Sequence, residues 1–541
     1  MMNAAAVFDR DRFIALLTER KQWDMIIIGG GATGLGIALD SASRGYTTLL
    51  LEQSDFAKGT SSRSTKLVHG GVRYLAQGNL KMVYTALRER GILFRNAAHL
   101  VTKQLFIIPC YSWFAVAKYL VGLKIYDWLA KRFSFGTSTF MNAAAVKQQL
   151  PLLKTSSLVG GVAYFDGQFD DARLALNIAQ TGAEKGAVLL NYFKVTSLIK
   201  EGSFVSGLIA VDEETQLAYK LHGKVVINAT GVFVDDILQM DMPGSKPLVQ
   251  PSQGVHLVVN HSFLNSAHAI MIPDTDDGRV LFALPWNGHV LLGTTDTALN
   301  KHSLEPRALE TEISFILNTV KKYLDNAPHR GDVLSVFAGL RPLAAPQDNA
   351  INTKEISRDH KLIIAASGLI TITGGKWTTY RKMAEETIDV AIRNGSLPRA
   401  LCTTENIPIH GCVSSSSINR LSVYGSDQHH LAALIAQDPA LGTPLAAGLP
   451  YTEVEVVWAV RHEMARTVED VLARRLRLLF LNAEAALSIA PRVARIMAAE
   501  LERDEKWEQE QVAGFTLLAK GYQIKNIDDA VDIRLNALVI H

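Results

Sequence analysis

The chain has few of the residues that mark a secreted, disulfide-bonded or metal-binding protein. It contains three cysteines in 541 residues, Cys110, Cys402 and Cys412, and no C-x-x-C pair. Cysteines that are so few and so scattered exclude a disulfide framework and a cysteine metal site, and they fit a reducing cytoplasmic setting. We therefore expect no metal site in this protein.

An excess of one charge and a long apolar run are also missing. The net charge of +2 gives no indication of nucleic-acid binding. Residues 1–23 are charged where a signal peptide needs an apolar core. The longest apolar stretch, residues 111–130, is interrupted by Lys118, Lys124 and Asp127, so we expect no transmembrane helix. Its aromatic residues and lysines leave two interpretations open, a helix in a membrane interface or helices packed on the core.

The most informative segment that is present is a glycine-rich turn near the N-terminus. Residues 25–28 form a short apolar run typical of a buried parallel strand, and Gly29, Gly31 and Gly34 follow with G-x-G-x-x-G spacing. In that motif one glycine permits the tight turn, one lets the backbone approach a pyrophosphate, and one lets the helix pack on the strand. The N-terminus of the following helix then offers free N–H groups to phosphate.

An acidic residue ends the next predicted strand. Residues 47–51 read as a buried strand, and Glu52 follows at the position where a carboxylate accepts the hydroxyls of an adenosine ribose. A carboxylate there argues against the 2′-phosphate of NADP. This motif alone does not separate NAD from FAD.

A second motif separates the two cofactors. Residues 60–74, T-S-S-R-S-T-K-L-V-H-G-G-V-R-Y, form a polar, glycine-bearing run directly after the ribose-binding strand. Such a run can wrap a large heteroaromatic ring, with hydroxyls and amides at its polar edge and glycines against its face. A nicotinamide enzyme does not need this run, so the motif indicates FAD.

The order of predicted elements indicates an α/β protein with a helical C-terminal part. Strand-like and helix-like segments alternate in the first half. Residues 255–259, 280–284 and 290–292 read as short strands of an antiparallel sheet. Beyond a domain boundary near residue 400, residues 453–480 and 483–512 show helical apolar spacing.

Together with N-A-T-G at residues 228–231 and G-G-K-W-T-T-Y-R-K-M-A at residues 374–384, these motifs resemble the FAD-dependent glycerol-3-phosphate dehydrogenases of the respiratory, quinone-linked type. The resemblance covers roughly residues 24–500 and includes D-D-A-R-L at 170–174, L-G-T-T-D at 292–296 and G-L-R-P-L at 339–343. Trp377 and the N-terminal lead of about twenty residues depart from the family pattern.

The resemblance implies a fold and its division along the chain. The fold is a Rossmann-like FAD-binding domain of the glutathione-reductase and D-amino-acid-oxidase type, with an antiparallel substrate-binding sheet and a helical C-terminal domain. We expect a lead at 1–23, an oxidoreductase domain at 24–400 and a helical domain at 401–541. Within the oxidoreductase domain the FAD-binding parts are about 24–95, 160–235 and 335–395, and the substrate parts are about 96–159 and 236–334.

The resemblance also implies an activity. It is the oxidation of sn-glycerol 3-phosphate to dihydroxyacetone phosphate, with electrons passed through FAD to a membrane quinone. The protein would be cytoplasmic and peripherally associated with the inner surface of the cytoplasmic membrane, with a homodimer left open. Two alternatives are a glycerol-3-phosphate oxidase that uses oxygen and a flavin-binding regulatory protein without turnover.

Residue by residue, the resemblance extends to the candidate site. The implied cofactor-binding residues are Gly29, Gly31, Gly34, Glu52, Thr60, Ser61, Ser62, Lys66, His69, Gly70, Gly71, Thr230, Gly231, Gly374, Gly375 and Lys376. The implied substrate-binding residues are Arg73, Tyr74, His256, Arg341, Arg358, Lys376 and Thr378. Among these His256, Arg341 and Lys376 are the candidate catalytic residues.

Two points stay open at this level. A histidine is the natural proton acceptor, with His256 first and His69 second, but an arginine-bound alkoxide that uses another acceptor competes with both. Arg474, Arg475 and Arg477 form a basic cluster on a predicted helix, which reads equally as a patch facing anionic lipid, a solvated face or a dimer contact.

Overall fold

The computed structural model describes residues 7–76, 78–276, 278–345, 360–413 and 420–527, apart from the side chains of Arg73, Ala76 and Ala344. The strands, in chain order, are β1 (Trp23–Ile28), β2 (Thr48–Leu51), β3 (Leu67–Val68), β4 (Val101–Cys110), β5 (Thr139–Asn142), β6 (Gly160–Phe169), β7 (Val188–Leu190), β8 (Phe193–Glu201), β9 (Phe204–Asp212), β10 (Ala218–Asn228), β11 (Val249–Asn260), β12 (Ala269–Ile272), β13 (Leu281–Trp286), β14 (His289–Gly293), β15 (Thr297–Ala298), β16 (Val333–Ala344), β17 (Lys361–Ile364) and β18 (Ile370–Thr373). The helices are α1 (Arg10–Glu19), α2 (Ala32–Ser43), α3 (Val72–Ala76), α4 (Leu80–Asn96), α5 (Trp113–Ala130), α6 (Ala143–Gln149), α7 (Asp171–Glu184), α8 (Val234–Asp241), α9 (Glu310–Tyr323), α10 (Tyr380–Asn394), α11 (Gln428–Gln437), α12 (Glu453–Glu463), α13 (Leu478–Leu481), α14 (Ala483–Glu500) and α15 (Glu505–Lys520).

The first sheet is parallel at its centre, in the order β18-β10-β1-β2-β7. Met25, Ile26 and Ile27 of β1 are fully buried, as expected of a strand covered on both faces. Helices α2, α7 and α10 pack on this sheet. The strands predicted at residues 25–28 and 47–51 are confirmed, and together they place the glycine turn and Glu52 at the same edge of the sheet.

The second sheet is mostly antiparallel, in the order β15-β11-β14-β13-β12-β4-β6-β3, with β16 paired to β11. The β12–β4 pair is parallel. One face packs on α6 and α9, and the other packs on the C-terminal helices. Because β11 and β16 run antiparallel in close register, they bring His256 and Arg341 into the same part of the sheet.

The C-terminal part of the chain is helical, and the predicted fold class is confirmed. Residues 453–480 are mostly helical, as predicted, but they do not form one helix, because α12 ends at Glu463 and Met464 adopts a left-handed φ of 53°. A π-helical turn over Asp470–Arg475 then precedes α13. Residues 483–512 likewise divide between α14 and α15. The boundary near residue 400 stays a prediction.

The C-terminal basic cluster is buried, which corrects all three interpretations drawn from the sequence. Arg474, Arg475 and Arg477 are 1%, 4% and 2% exposed. Their guanidinium groups form ion pairs with Asp55 and Asp171 of the nucleotide-binding region. The cluster is therefore a contact inside the molecule, since side chains so far from solvent cannot meet lipid, water or a second subunit.

Most of residues 111–130 form helix α5, which is buried on one side and exposed on the other. Val116, Leu123, Tyr126 and Leu129 are buried against the rest of the protein. The opposite side of the helix exposes large apolar side chains at helical spacing, namely Trp113 at 67%, Phe114 at 79%, Val121 at 61%, Ile125 at 42% and Trp128 at 71%. No helix in the described ranges has the length and apolar character needed to cross a membrane.

One histidine joins α7 to the C-terminal part. His410 Nδ1 lies 2.6 Å from Glu184 Oε1, and its Nε2 lies 2.8 Å from Asp427 Oδ2. Burial alone would lower the pKa of His410, but the hydrogen bonds to the two carboxylates raise it to about 10. The imidazolium is therefore the form that holds the two parts together.

The ion pairs of His410 with Glu184 and Asp427 predict that the stability of the protein depends on pH. The folded-state pKa of His410 lies above the unfolded value of about 6.5, so its stabilising effect is complete below pH 6.5 and is lost as the pH rises to about 10. His410→Gln should lower the free energy of unfolding by about 1.5–3 kcal/mol near pH 6, and by much less near pH 10. Urea unfolding at both pH values measures the difference. The exposed His329→Gln is the control, and a deficit for His410→Gln that does not change with pH would contradict this account.

Candidate active site

The turn between β1 and α2 forms part of a first cavity. Gly29 has a φ of 109°, and a Cβ there would lie 2.7 Å from the Ala229 carbonyl oxygen. A Cβ at Gly34 would lie 1.9 Å from the Gly29 carbonyl oxygen. A Cβ at Gly31 would meet only Ser61 Oγ, at 3.1 Å, and Gly31 borders the cavity. The fold therefore requires Gly29 and Gly34, whereas Gly31 keeps space open for a ligand.

The N-terminus of α2 is built to meet an anion. Gly31 stands at the N-cap and offers no side chain to the helix, and the Ala32 N–H donates to Ser61 Oγ over 2.9 Å. Thr33 in the first turn also borders the cavity. Helix N–H groups that point into a cavity, together with the positive end of the helix dipole, are a site for phosphate groups.

Glu52 lies half-buried at the end of β2, where it also borders the first cavity. Its carboxylate accepts the Gly30 N–H over 2.6 Å and the Ser54 N–H over 3.0 Å. Burial raises the pKa of Glu52, although both N–H donors act against this shift. Each oxygen keeps a further lone pair, so a carboxylate that is already fixed in position can accept ribose hydroxyls.

The first cavity continues from Glu52 to residues far along the chain. Two hydrogen bonds fix its middle part, from Thr60 Oγ1 to the Leu340 carbonyl over 2.6 Å and from Trp377 Nε1 to the Ser61 carbonyl over 2.8 Å. Other predicted cofactor residues that border it are Thr230, Gly231, Gly374, Gly375 and Lys376. A cavity that combines an anion site, a ribose acceptor and these glycine turns fits a dinucleotide with a large ring.

A second cavity shares a wall with the first. The residues common to both are Thr60, Arg63, Leu340, Pro342, Gly374, Gly375, Lys376 and Trp377. A ring bound at the end of the first cavity would therefore face a ligand bound in the second.

The second cavity brings together five of the predicted substrate residues, Tyr74, His256, Arg341, Lys376 and Thr378. Lys376 Nζ lies 3.7 Å from the centre of the Tyr74 ring, which is a cation–π contact. Thr378 Oγ1 accepts the His69 N–H over 3.1 Å. His69 and Gly71, predicted to bind the cofactor, also border this second cavity.

Arg341 presents a fixed guanidinium to the second cavity from strand β16. Its Nη2 donates to Thr294 Oγ1 and to the Thr295 carbonyl, both over 3.1 Å, and its Nη1 lies 3.4 Å from Asp296 Oδ1. Gly254 makes room for it, since a Cβ there would lie 2.3 Å from Arg341 Nη2. A planar, oriented guanidinium at a cavity wall suits an oxyanion or a phosphate.

His256 borders the same cavity from strand β11 and is 2% exposed. Its Nε2 lies 2.9 Å from Thr65 Oγ1, and its ring stacks on Phe337 with 4.9 Å between ring centres. Burial, followed by the charges of Lys66 and Arg341, holds the pKa of His256 well below its ordinary value. The ring is therefore a neutral imidazole that can accept a proton.

Four predicted cofactor residues, Gly34, Ser62, Lys66 and Gly70, do not border either cavity. Lys66 is fully buried, and its ammonium donates to Asp171 Oδ2 over 2.6 Å and to the Ser62 carbonyl over 2.7 Å. The Gly70 N–H donates to the Tyr126 hydroxyl over 2.8 Å. These residues hold the polypeptide behind the cavity wall.

Two of the predicted substrate arginines, and Arg381 of the motif at residues 374–384, have other outcomes. Arg73 falls in α3, where its side chain is not described, and Arg358 lies outside the described residues. Arg381 is buried with Glu89 at 2.7 Å, away from both cavities. The roles predicted for Arg73 and Arg358 stay predictions.

The sequence analysis missed Arg63, Arg279 and Asp296, which border the second cavity. Arg279 precedes β13 and lies outside the motifs that the sequence analysis quoted. Asp296 and Arg63 stood inside motifs that were already quoted, L-G-T-T-D and S-S-R-S-T-K. A systematic list of the charged residues within those motifs would have found both.

Two family models match the chain. A model described as FAD dependent oxidoreductase matches residues 24–381, and one described as the C-terminal domain of alpha-glycerophosphate oxidase matches residues 370–510. The mitochondrial glycerol-3-phosphate dehydrogenase of Homo sapiens is 39% identical over 93% of this chain and 74% of that protein. A mitochondrial glycerol-3-phosphate dehydrogenase of Arabidopsis thaliana is 39% identical over 90% of this chain and 84% of that protein.

Solved structures agree with these matches. The glycerol-3-phosphate dehydrogenase from Bacillus halodurans complexed with FAD superposes with a TM-score of 0.78 at 30% identity, covering 96% of this chain and 99% of that one. The L-alpha-glycerophosphate oxidase from Mycoplasma pneumoniae with FAD bound shares the fold, with a TM-score of 0.54 at 16% identity over 71% of this chain and 97% of that one.

The geometry of the glycine turn predicts how flavin binding can be removed without unfolding the protein. Gly31→Val should abolish binding of FAD, because the new side chain enters the space next to the N-terminus of α2 while its φ of −83° suits any residue. The visible flavin spectrum and thermal unfolding measure both effects. Gly182→Ala is the control, since its Cβ would meet only ordinary contacts at 3.8 Å. A full flavin spectrum in Gly31→Val would remove the pyrophosphate from this turn.

Proposed function

The chain belongs to the family of FAD-dependent glycerol-3-phosphate dehydrogenases, and on that premise we propose that it passes the electrons from glycerol 3-phosphate to a membrane quinone. Its family holds FAD and oxidises glycerol 3-phosphate, as this enzyme does. The quinone proposal depends on one combination of features. A cationic substrate cavity lies next to the cofactor cavity, and the same molecule exposes an apolar helix face.

The residues of the first cavity fit FAD, and we assign its parts accordingly. The Gly31–Ala32 turn receives the pyrophosphate, Glu52 accepts the ribose hydroxyls, and the wall shared with the second cavity receives the ring. When bound, FAD supplies the two-electron oxidant for C2 of the substrate. The chain supplies the binding groups, their orientation and a place for the proton.

The second cavity suits a phosphate ester of a triol. Arg279, Arg341 and Lys376 give it cationic donors, and the carboxylate of Asp296 lies against Arg341. A phosphate dianion needs fork-shaped or compact cations, and the hydroxyl that is oxidised needs a separate polar group. Tyr74 and Thr378 offer hydroxyls on the wall near Lys376. The substrate is thereby held with its phosphate and its hydroxyls at different groups.

In this mechanism His256 takes the proton from the C2 hydroxyl. A neutral imidazole at the cavity wall can accept it, and the hydrogen bond to Thr65 fixes the ring. Its pKa is held low by burial and by two neighbouring cations, which makes the ring a weak base in the protein alone. A substrate dianion bound beside those cations offsets their charge and strengthens the base.

For the acceptor we propose a quinone in the lipid bilayer, reached by attachment of the α5 face to the cytoplasmic side of the membrane. The face carries Trp113, Phe114, Val121, Ile125 and Trp128, and Lys118 and Lys124 lie exposed on the same helix. Aromatic residues mixed with lysines are typical of helices that lie in a membrane interface. A homodimer stays a prediction.

The acceptor and the membrane face are tested together. With vesicles of anionic phospholipid that contain a long-chain quinone, Trp128→Glu should lower turnover about 10-fold, because it places a carboxylate at an apolar contact. With a water-soluble quinone analogue the variant should match wild type. Leu517→Glu is a control with the same 71% exposure on α15.

Three results would contradict the proposal. Turnover with oxygen that matches the quinone rate and releases equimolar peroxide would identify an oxidase. Equal loss in Trp128→Glu and Leu517→Glu would remove α5 from the membrane contact. Absence of turnover with every acceptor, while FAD is bound, would favour a regulatory protein.

The role of His256 predicts a kinetic effect confined to the chemical step. His256→Gln should keep FAD and substrate binding but slow flavin reduction about 10² to 10⁴-fold, the usual effect of removing a general base. Stopped-flow reduction at saturating glycerol 3-phosphate measures this rate, and substrate deuterated at C2 should still show a primary isotope effect. His289→Gln in neighbouring β14 is the control. A reduction rate within a few-fold of wild type would exclude His256 as the base.

A further inference from the structure

Residues 55–66, here called the cofactor loop, have two sides with different contacts. Lys58, Thr60, Ser61 and Arg63 border the cavities. The other side is held by residues 469–477, here called the arginine segment, from the C-terminal part of the chain. The loop therefore lies between the cofactor site and a part of the chain that does not border either cavity.

The first contact lies at the beginning of the cofactor loop. The carboxylate of Asp55, fully buried, accepts from Arg474 Nε and from both terminal nitrogens of Arg475. Burial alone would raise the pKa of Asp55, but the charges of Arg475 and Arg474 hold it below its ordinary value. The start of the loop is thus fixed by an ionised carboxylate that receives three donors from the arginine segment.

The second contact reaches a residue of the cofactor cavity itself. Lys58 Nζ donates to Glu469 Oε2 over 2.8 Å, and Glu469 Oε1 accepts from Arg474 Nη1 over 2.7 Å. The arginine that holds Asp55 therefore also holds the acid that orients Lys58. Lys58 is a cation on the wall of a cavity that receives a pyrophosphate.

The third contact holds the end of the loop. Arg477 Nη2 donates to the Ser62 carbonyl and to Asp171 Oδ1, both over 2.9 Å. Asp171 Oδ2 in turn accepts from the Ser64 N–H over 3.0 Å and from Lys66 Nζ over 2.6 Å. Thr65, between the last two residues, carries the hydroxyl that bonds His256.

The charges on the two sides are complementary and buried together. An unpaired guanidinium group would carry a large desolvation cost at these buried positions. The carboxylates of Asp55 in the cofactor loop and Asp171 in α7 offset that cost. Neither the loop nor the arginine segment can be buried in this arrangement without the other. The shape of the cofactor loop is thus conditional on the docked arginine segment.

We infer that the arginine segment positions the cofactor loop, so that C-terminal residues outside both cavities set the affinity for FAD. Arg474 and Arg477 are positioning residues that act through Asp55, Lys58, Ser62 and Asp171. This inference depends on FAD as the cofactor and not on the identity of the electron acceptor.

The test compares two paired arginines of the C-terminal part, Arg477, which is buried, and Arg420, whose side chain is partly exposed. Arg477→Gln removes a contact to the cofactor loop, whereas Arg420→Gln removes the two-pronged pair with Glu455, both partners being C-terminal. Both variants should lower the thermal unfolding temperature of the apoprotein. Only Arg477→Gln should raise the dissociation constant for FAD, by 10-fold or more, and change the visible circular dichroism of the bound flavin. Arg477→Lys should recover part of the affinity, because it keeps the charge and loses the second prong.

A milder variant covers the case in which Arg477→Gln does not fold. Glu469→Gln leaves Arg474 with Asp55 and Asp470 but removes the charge that orients Lys58. It should raise the dissociation constant for FAD several-fold in a protein that unfolds at nearly the wild-type temperature. If Glu469→Gln and any folded Arg477 variant bind FAD as tightly as Arg420→Gln, the arginine segment is only a structural contact and the inference is wrong.

Discussion

The buried carboxylate of Asp171 joins the parts of the molecule on which the active site depends. It stands at the start of α7, which packs on the first sheet, and it accepts from Lys66 and Ser64 of the polar motif and from Arg477 of the C-terminal part. Lys66 in turn donates to the Ser62 carbonyl. A carboxylate without exposure is stable in this position only because these donors surround it. The hydrogen bonds of these donors also fix the path of the cofactor-loop backbone.

The wall shared by the two cavities explains why binding and oxidation belong to one site. Gly374, Gly375 and Lys376 come after β18 of the first sheet, yet they border the cavity that Arg341 and His256 of the second sheet also line. Each sheet thus contributes to both cavities at their junction. In the proposed assignment, Glu52 and the N-terminus of α2 serve the nucleotide end, and Arg279, Arg341 and Lys376 serve the substrate end.

The sequence predicted the parts of the site that depend on local spacing. Gly29, Gly31, Gly34 and Glu52 act within one strand, turn and strand, so their positions follow from adjacent residues. The buried ion pair of Lys66 could not be predicted from the sequence, because its partner Asp171 lies 105 residues away and no local pattern connects the two. Resemblance to a family supplied Arg341 and His256, whose strands are neighbours only in the folded sheet.

The C-terminal arginines are a second case in which contacts between residues far apart in the chain could not be predicted from the sequence. Three arginines within four residues read as a surface patch, because charged side chains are rarely buried without partners. Glu469 and Asp470 are local partners of Arg474, but Asp55 and Asp171 lie more than 300 residues earlier in the chain. Whether a charged side chain is buried depends on its neighbours in the folded protein, whereas helical spacing describes only one segment of the sequence.

The separation between Asp55 and Arg475, 420 residues, also orders events during synthesis of the chain. Strands β1 and β2 and the glycine turn between them are made early, whereas β10 and β18 of the same sheet follow much later in the chain. The loop beside them reaches its full set of hydrogen bonds only after residue 477 has been made. The wall of the cofactor cavity therefore depends on a segment made 420 residues after Asp55, and a chain that stops before residue 477 lacks the contacts of Arg477 with Ser62 and Asp171.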